Sequence, residues 1–407
     1  VLDVLGAPHG NLPPVIHVAG TNGKGSTIAF MRAIAEAAGL RVHAFTKPHL
    51  FRLNERFVVA GKVVEDERLI DAAKRVATVS RDITQFDAQV AAAFMLFGAT
   101  PADIILLETG MGGRDDSTNV IPWPAASVIT PIGLDHQDVL GSTLAGIAAH
   151  KAGILKRHSP AFVARQNPEV MAVVEAEAAR VGAPLFRCGV EWDAHQSQGR
   201  LVVQTESRAL DLPLPALHGA HQIDNAGLAC AVFLGPTAFT IGDDAFAAGI
   251  ASAQWPGRLH PLTRGPLSAP VRAVGGEVWA DGGHNAHALA ALHSWAVSAA
   301  RRRKAPLVII FAARPRKDWA AALKPLAMMA ERVIAVPMLD GVDPQQIADY
   351  ANSEGASASV APSLAGAMQI AAQSPAPRVL ICGSFVLAAE ALTLDGLAQA
   401  SFSTSSD

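Results

Sequence analysis

Residues 15–31 read VIHVAGTNGKGSTIAFM, and the rest of the chain is arranged around them. Val15 to Ala19 is a short apolar run rich in β-branched residues, which predicts a buried strand. Gly20, Gly23 and Gly25 punctuate a tight turn, and Thr27 to Ala38 has helical composition. Strand, glycine loop and helix in succession form the setting of a phosphate cradle. Glycine lets backbone N–H groups approach anionic oxygens closely, and the helix turns its positive end to the same charge. Lys24 is placed to neutralise the β- and γ-phosphates of a nucleotide, and a hydroxyl of Ser26 or Thr27 to reach Mg²⁺. The spacing departs from the strict G-x-x-x-x-G-K-[ST] pattern, because Gly25 separates Lys24 from Ser26. The competing reading is a plain structural βα turn.

A chain of 407 residues is long enough for two domains. Its 50% hydrophobic content is ample for buried parallel sheets. A net charge of −3, from 33 basic and 36 acidic residues, carries no polyelectrolyte signature, so nucleic acid is not an expected partner. The basic cluster Arg301 to Lys304 reads as a solvated loop before a strand. Cys188, Cys230 and Cys382 lie far apart without metal-ligand spacing, and read as small core residues of a reducing compartment. No apolar run approaches the ~20 residues of a membrane span. The opening VLDVLGAPHG lacks the charged and apolar regions of a signal peptide. The expectation is a cytoplasmic protein with no membrane partner, and nothing demands more than a monomer. A chain starting on Val rather than Met is expected to lack its natural beginning.

Downstream, the pattern alternates. Strands are predicted at 41–45, 103–108, 127–130 and near 161–164, with hairpins at 56–64 and 190–204. Helices are predicted at 65–79, 85–97, 142–155, 168–181, 221–234 and 243–252. Such alternation predicts a doubly wound, mostly parallel α/β sheet with ligands at the carboxyl ends of its strands. QWPGRLHPLTRGPLSAP, residues 254–270, holds four prolines and breaks the pattern, so the boundary between a domain of 1–254 and one of 255–407 is placed there. Beyond it the alternation resumes with strands at 277–280, 307–312, 333–337, near 358 and 378–382. Helices are expected at 286–299, 318–330, 344–351, 364–373 and 385–394, giving a second, smaller, Rossmann-like α/β domain. The terminal SFSTSSD is expected to fray.

Polar residues at strand ends are the informative ones. Glu108 closes an apolar strand, and is either a ligand for a hard metal or a capped or salt-bridged carboxylate. Asp135 and His136 follow the strand at 127–130; His136 is a metal or phosphate contact or an ordinary loop histidine. Lys151, inside a helical stretch, reads by itself as a surface or salt-bridged lysine. Gln222 and Asn225 suit either an adenine edge or a helix cap. Arg258 lies in the linker, from which a guanidinium can swing over a triphosphate. Asp281, His284 and Asn285 follow one strand of the second domain, and Gly383 and Ser384 another.

Together these segments resemble the dihydrofolate synthase/folylpolyglutamate synthase family, within the wider Mur-ligase-like superfamily. The residues that carry the resemblance are HVAGTNGKGS, PHLFRLNER, TQFD, LLETGMGGRDDSTN, GLDH, HKAGI, HQIDNA, PGR, DGGHNAHA, RKD and CGSF, in the family's order from about residue 15 to 387. The resemblance implies a P-loop-type ATP-binding domain followed by a glutamate-ligase domain. It implies an ATP-dependent ligase, with ATP and Mg²⁺ as cofactors and dihydropteroate or reduced folates and L-glutamate as substrates. ATP would be held by Gly20, Thr21, Asn22, Gly23, Lys24, Gly25, Ser26 and Thr27, with Gln222, Asn225, Arg258 and Asp281. Glu108, His136, Ser26 and a carbamylated Lys151 match metal ligands. Lys24, Lys151, Arg258 and His284 match the catalytic set, and Thr84, Phe86 and Asp116 match positions lining the pterin site. The expected cleft lies between the domains and excludes water, and its closure gates turnover.

Three departures from the family stand out. Lys47 occupies the place of a metal-binding serine in FTKPHL, Asp87 replaces a glutamate after the T-x-F pattern, and an N-terminal helix with an I-D-L-G-x-x-R segment is absent. They motivate an alternative, a nucleotide-binding homologue with impaired catalysis. A peptidoglycan-precursor Mur-type ligase shares the ATP site, but TQFD and RDDSTN argue against it. A regulatory P-loop switch has no use for the second α/β domain.

Overall fold

A computed structural model describes residues 1–80, 82–315 and 318–397. Arg316 and Lys317 of the RKD motif and the Ser-rich end lie outside the described residues. The chain divides into two compact units, one of Val1–Ala216 with His221–Gln254, the other of Leu217–Ala220 with Trp255 onward.

The first unit runs β1 (Val15–Ala19), α1 (Lys24–Ala37), β2 (Val42–Phe45), β3 (Phe57–Val59), β4 (Lys62–Val63), α2 (Asp66–Val79), α3 (Gln85–Gly98), β5 (Ile104–Glu108) and β6 (Ala126–Ile129). It continues through α4 (Gln137–Leu140), α5 (Leu144–Ala152), β7 (Ala161–Val163), α6 (Pro168–Val181), β8 (Leu185–Arg187), β9 (Trp192–Ser197), β10 (Arg200–Thr205) and β11 (Ala209–Leu212) to α7 (His221–Leu234) and α8 (Asp243–Ser252). Its main sheet has the order β4-β3-β2-β5-β1-β6-β7-β8. The strands from β2 to β8 are parallel, and β3 and β4 add an antiparallel edge. Every residue of β1 and β5 is buried, as continuous apolar runs in a doubly covered sheet must be. β1 lies between β5 and β6, so the loops after these three strands open at one sheet edge. Between β3 and β4, Ala60 and Gly61 both take positive φ (49° and 85°), which a two-residue hairpin turn requires.

Two local differences from the sequence reading have clear causes. Helix α1 begins at Lys24, three residues before Thr27, because Gly23 at φ +86° turns the chain into the helix. The polar hairpin at 190–204 is part of a three-stranded antiparallel sheet, β9 to β11. Gly39, at φ +82°, ends the first helix as expected.

The second unit contains β12 (His260–Pro261), α9 (Ala269–Ala273), β13 (Glu277–Ala280), α10 (Ala286–Arg302), β14 (Leu307–Phe311), α11 (Trp319–Ala327), β15 (Arg332–Ala335), α12 (Pro344–Ser353), β16 (Ala358–Val360), α13 (Leu364–Ala371), β17 (Arg378–Cys382) and α14 (Phe385–Leu394). Its sheet runs β12-β13-β17-β14-β15-β16, parallel apart from β12. Leu289, Leu292, Trp295, Ile309, Leu323 and Ile347 are among the side chains that fill its core. The three cysteines are free and buried.

Candidate active site

The loop after β1 is held rigidly from three sides. Gly20 has φ +147°, and a Cβ there would fall 1.9 Å from Thr130 Oγ1, so no side chain fits. The Thr21 and Asn22 amides donate to Pro131 O at 3.0 and 3.2 Å. Thr21 Oγ1 donates to Gly133 O at 3.0 Å and accepts from Gly133 N at 3.1 Å. From α7, Asn225 Oδ1 lies where a Cβ on Gly23 would be (2.5 Å), and Asn225 Nδ2 donates to Gln222 Oε1 at 3.0 Å. Gln222 Nε2 in turn donates to Ser26 Oγ at 3.4 Å. The buried amides thus buttress the cradle. Lys24, Gly25 and Ser26 form the first helical turn, whose amides have no carbonyl four residues back within the helix. Thr27 differs from the sequence reading: it is wholly buried, and its amide is spent on Gly23 O at 2.8 Å.

Lysines converge on this loop. Lys24 Nζ donates to Gly20 O at 3.0 Å and Thr21 O at 3.2 Å, and stands 3.9 Å from Glu108 Oε1. Lys151 is buried, and its Nζ also donates to Gly20 O, at 2.8 Å. A surface reading of Lys151 is therefore excluded. Burial and then the Lys24 charge push its pKa down to about 7. Lys47, just after β2, is likewise lowered to about 8 by burial and Lys24. Its Nζ sits 5.8 Å from the Phe86 ring centroid, and its amide donates to Glu108 Oε2 at 3.0 Å.

Glu108, at the carboxyl end of β5, is 2% exposed, with Oε1 facing the Lys24 ammonium and Oε2 accepting the Lys47 backbone amide. His136 is exposed, at φ +52° before α4, and its amide donates to Asp135 Oδ1 at 2.9 Å. Among the described residues no group of three or more His, Cys, Asp or Glu side chains is placed to hold a metal, so Glu108 and His136 are not part of such a cage. A Mg²⁺ that arrives with a polyphosphate needs only one or two protein oxygens and completes its shell with phosphate and water. The Glu108 carboxylate and Ser26 hydroxyl, hard oxygen donors beside the loop, fit that kind of ion.

The third cluster surrounds the loop after β5. Thr84 caps α3: its Oγ1 accepts the Asp87 amide at 3.1 Å and donates to Asp87 Oδ2 at 2.7 Å. Asp87 also accepts the Ser117 hydroxyl, so the shorter acid still ties α3 to this loop. Phe86 lies against Gly110, where a Cβ would approach its ring to 2.3 Å. Asp116 Oδ2 accepts the Met111 amide at 2.7 Å, and Oδ1 accepts the Thr118 hydroxyl at 2.6 Å. Thr118 Oγ1 is 2.8 Å from Nε2 of the wholly buried His17. Since that hydroxyl donates to Asp116, it accepts from His17. Arg56, whose Nη1 donates to Gln89 Oε1 at 2.7 Å and Nε to His49 Nδ1 at 3.0 Å, completes the surroundings. His17, Arg56 and Gln89 were missed as site residues, because each sits inside an ordinary strand, turn or helix pattern.

In the second unit, Asp281 is buried, with Oδ2 accepting the Leu259 amide at 2.7 Å and Oδ1 the Gly283 amide at 2.6 Å. Both oxygens are engaged by backbone, so Asp281 organises the loop that bears its neighbours. Burial raises its pKa, and Arg258 counters this. The Arg258 guanidinium lies 4.4 Å from the Phe385 ring centroid. His284 packs on the same ring at 5.4 Å, with Nδ1 2.9 Å from Gly282 O. Asn285 Oδ1 caps α10 through the Ala288 amide at 2.9 Å, and Ser384 caps α14. Arg258, Asp281 and His284 are thus brought together, around Phe385.

Comparison with known proteins identifies the family. A family model described as the Mur ligase middle domain matches residues 18–233, and the Mur ligase glutamate ligase domain matches 270–385. The dihydrofolate synthase/folylpolyglutamate synthase of Bacillus subtilis is 34% identical over 334 residues, 78% of this chain and 75% of its own. Escherichia coli FolC in complex with DHPP and ADP superposes with a TM-score of 0.86 at 29% identity, covering 98% of this chain and 93% of the other. The bifunctional enzyme of Yersinia pestis, solved with AMPPNP and a Mn ion, gives 0.83 at 29% identity over 96% of this chain and 91% of its own. The chain belongs to the dihydrofolate synthase/folylpolyglutamate synthase family of Mur ligases.

Proposed function

We propose that the protein is an ATP-dependent ligase that joins L-glutamate to dihydropteroate and to reduced folates. The observation that carries this reading is the convergence of Lys24 and Lys151 on Gly20 O, with Glu108 beside them, at the end of a rigid glycine loop. Such a loop positions a triphosphate and neutralises its charge, which is most of what phosphoryl transfer asks of a protein. The γ-phosphoryl passes to a carboxylate oxygen of the pterin acid, giving an acyl phosphate and ADP. The amine of glutamate then attacks the carbonyl carbon, the bond from that carbon to the bridging oxygen breaks, inorganic phosphate leaves, and the amine gives up a proton as the amide forms. A divalent ion held by Glu108 and Ser26 would supply further charge neutralisation at the phosphates. Lys24 and the loop amides hold the nucleotide, and Gln222 and Asn225 keep the loop in shape. A Lys151 amine with pKa about 7 is substantially neutral at physiological pH, the form that takes up CO₂, which supports carbamylation. Phe86 and Asp116 suit a flat, N–H-bearing ring. Thr84 takes part through Asp87, and Arg258 and His284 are assigned to the acyl-transfer chemistry. We read the working form as a cytoplasmic monomer.

The test is phosphate release with ATP and L-glutamate, comparing dihydropteroate, tetrahydrofolate and a UDP-linked peptidoglycan precursor. The expected result is glutamate-dependent release with the pterin acids and a product heavier by one glutamyl group. ATP binding without glutamate-dependent release, or turnover of the UDP-linked acceptor alone, would overturn the proposal.

A further inference from the structure

The proposed reaction leaves one chain of hydrogen bonds in the first unit without a task. It runs from His17, in the middle of β1, through Thr118 to Asp116, and all three side chains are buried. His17 Nε2 lies 2.8 Å from Thr118 Oγ1, which lies 2.6 Å from Asp116 Oδ1. The far end fixes the direction of donation. A carboxylate only accepts, so the Thr118 hydroxyl donates to Asp116 and accepts from His17. His17 Nδ1 has no hydrogen-bond partner among the described residues. A proton there would be an orphaned buried donor, so the neutral ring carries its proton on Nε2. The Thr118 amide donates to the same Oδ1 at 3.0 Å, and the Met111 amide to Oδ2 at 2.7 Å. Of the roughly four acceptor positions of a carboxylate, the described residues leave one open, on Oδ2. A Cβ on Gly110 would meet both that oxygen, at 3.0 Å, and the Phe86 ring. With only a hydrogen at Gly110, the open acceptor and the aromatic ring stand side by side.

We propose that His17 and Thr118 are positioning residues for recognition of the pterin acid: by engaging Oδ1 they hold the Asp116 carboxylate in the rotation that turns its open acceptor, on Oδ2, toward the Phe86 ring, where it takes an N–H from the rim of a flat substrate ring. The inference rests on the reading of Phe86 and Asp116 as the pterin site. The outer torsion of an aspartate is broad and roughly two-fold, so an unrestrained carboxylate presents its oxygens over a range of directions. The relay narrows that range before the substrate arrives, which removes an ordering cost from binding. His17 touches no substrate in this arrangement and acts only through Thr118. It also stands just before the glycine loop, so a merely structural role would disturb nucleotide and pterin acid alike. A positioning role disturbs the pterin acid alone.

The experiment is calorimetric titration of the whole chain, with ADP alone and with dihydropteroate at saturating ADP. Thr118→Val and His17→Met each break the relay at one link, whereas Thr118→Ser and His17→Gln keep a donor at each position. Thr118→Val and His17→Met are expected to weaken dihydropteroate binding about tenfold and to leave ADP affinity within about twofold of wild type. Thr118→Ser and His17→Gln are expected to stay within about threefold of wild type for both ligands. The double variant His17→Met/Thr118→Val should bind dihydropteroate no worse than Thr118→Val by itself, because links in series are not additive. Unchanged dihydropteroate affinity in Thr118→Val, parallel losses for both ligands, or additive losses in the double variant would each overturn the inference. Asp116→Ala separates this from failure of the underlying reading: if it binds dihydropteroate as wild type does, or if wild type does not bind it at all, the pterin assignment of Asp116 falls and the relay with it. Thermal melts confirm that each variant is folded, and Thr118→Val, which keeps the shape of the side chain, decides the matter if His17→Met does not fold.

Discussion

His17 lies in the middle of an all-buried strand, with Thr118 and Asp116 as its continuation. Burial, only partly countered by Asp116, brings its pKa down to about 4 from the usual 6.5. Below pH 6.5 the unfolded chain takes up a proton that the native chain refuses until about pH 4. The stability associated with the neutral ring is therefore complete above pH 6.5 and is lost as pH falls toward 4, by about 3 kcal/mol. Urea titrations across that window should show the wild type losing about that much more than His17→Gln; parallel curves would assign the loss to other groups. Gly20 makes the opposite kind of statement. Gly20→Ala must drive a methyl into Thr130 at a φ of +147°, and should cost roughly 2–4 kcal/mol and abolish ADP binding. Retained ADP affinity would show that the loop relaxes. Gly20 is legible in a sequence because glycine punctuates a pattern. His17 is not, because a single histidine in an apolar run looks like a core residue, and Thr118, its partner, is far away along the chain.

At the scale of elements, β1, β5, β6 and α1 make the cradle, and the turn at Pro131–Gly133 and helix α7 hold it. Anionic phosphates near the free amines of Lys151 (about 7) and Lys47 (about 8) raise both values, so in CO₂-free buffer, where Lys151 is uncarbamylated, ADP binding between pH 7.5 and 8 should draw protons from solution. Titration calorimetry in buffers of different ionisation enthalpy measures this, and the uptake should vanish below about pH 6, where both amines are already charged. Proton release at pH 8 would contradict the placement of phosphate beside these lysines. Most of these elements could be read directly, since long buried strands and amphipathic helices carry strong periodic signals. The strand β8 was missed: it is three residues long and only half-buried. The strand β11 does alternate, with every second residue buried, but is only four residues long. Lys151 shows the limit of local pattern. By itself its helix suggests a surface lysine, and only the approach of α5 to the glycine loop makes it a buried amine.

At the scale of the molecule, the chain passes between its two units at three places, after Ala216, Ala220 and Gln254. The short excursion from Leu217 to Ala220 belongs to the second unit, where the His218 ring meets Trp279 edge-on at 4.9 Å. A proline-rich break at 254–270 is visible in the sequence, but a four-residue excursion leaves no compositional trace. His218→Ala should lower the stability of the second unit by about 1 kcal/mol, read as a downward shift of its calorimetric transition. An unchanged melt would mean that the ring contact contributes nothing net. A chimera that exchanges everything after Gln254 for the matching part of a relative would leave His218 facing a foreign surface. The interchangeable cassette is thus discontinuous, and a graft has to carry Leu217–Ala220 along with it.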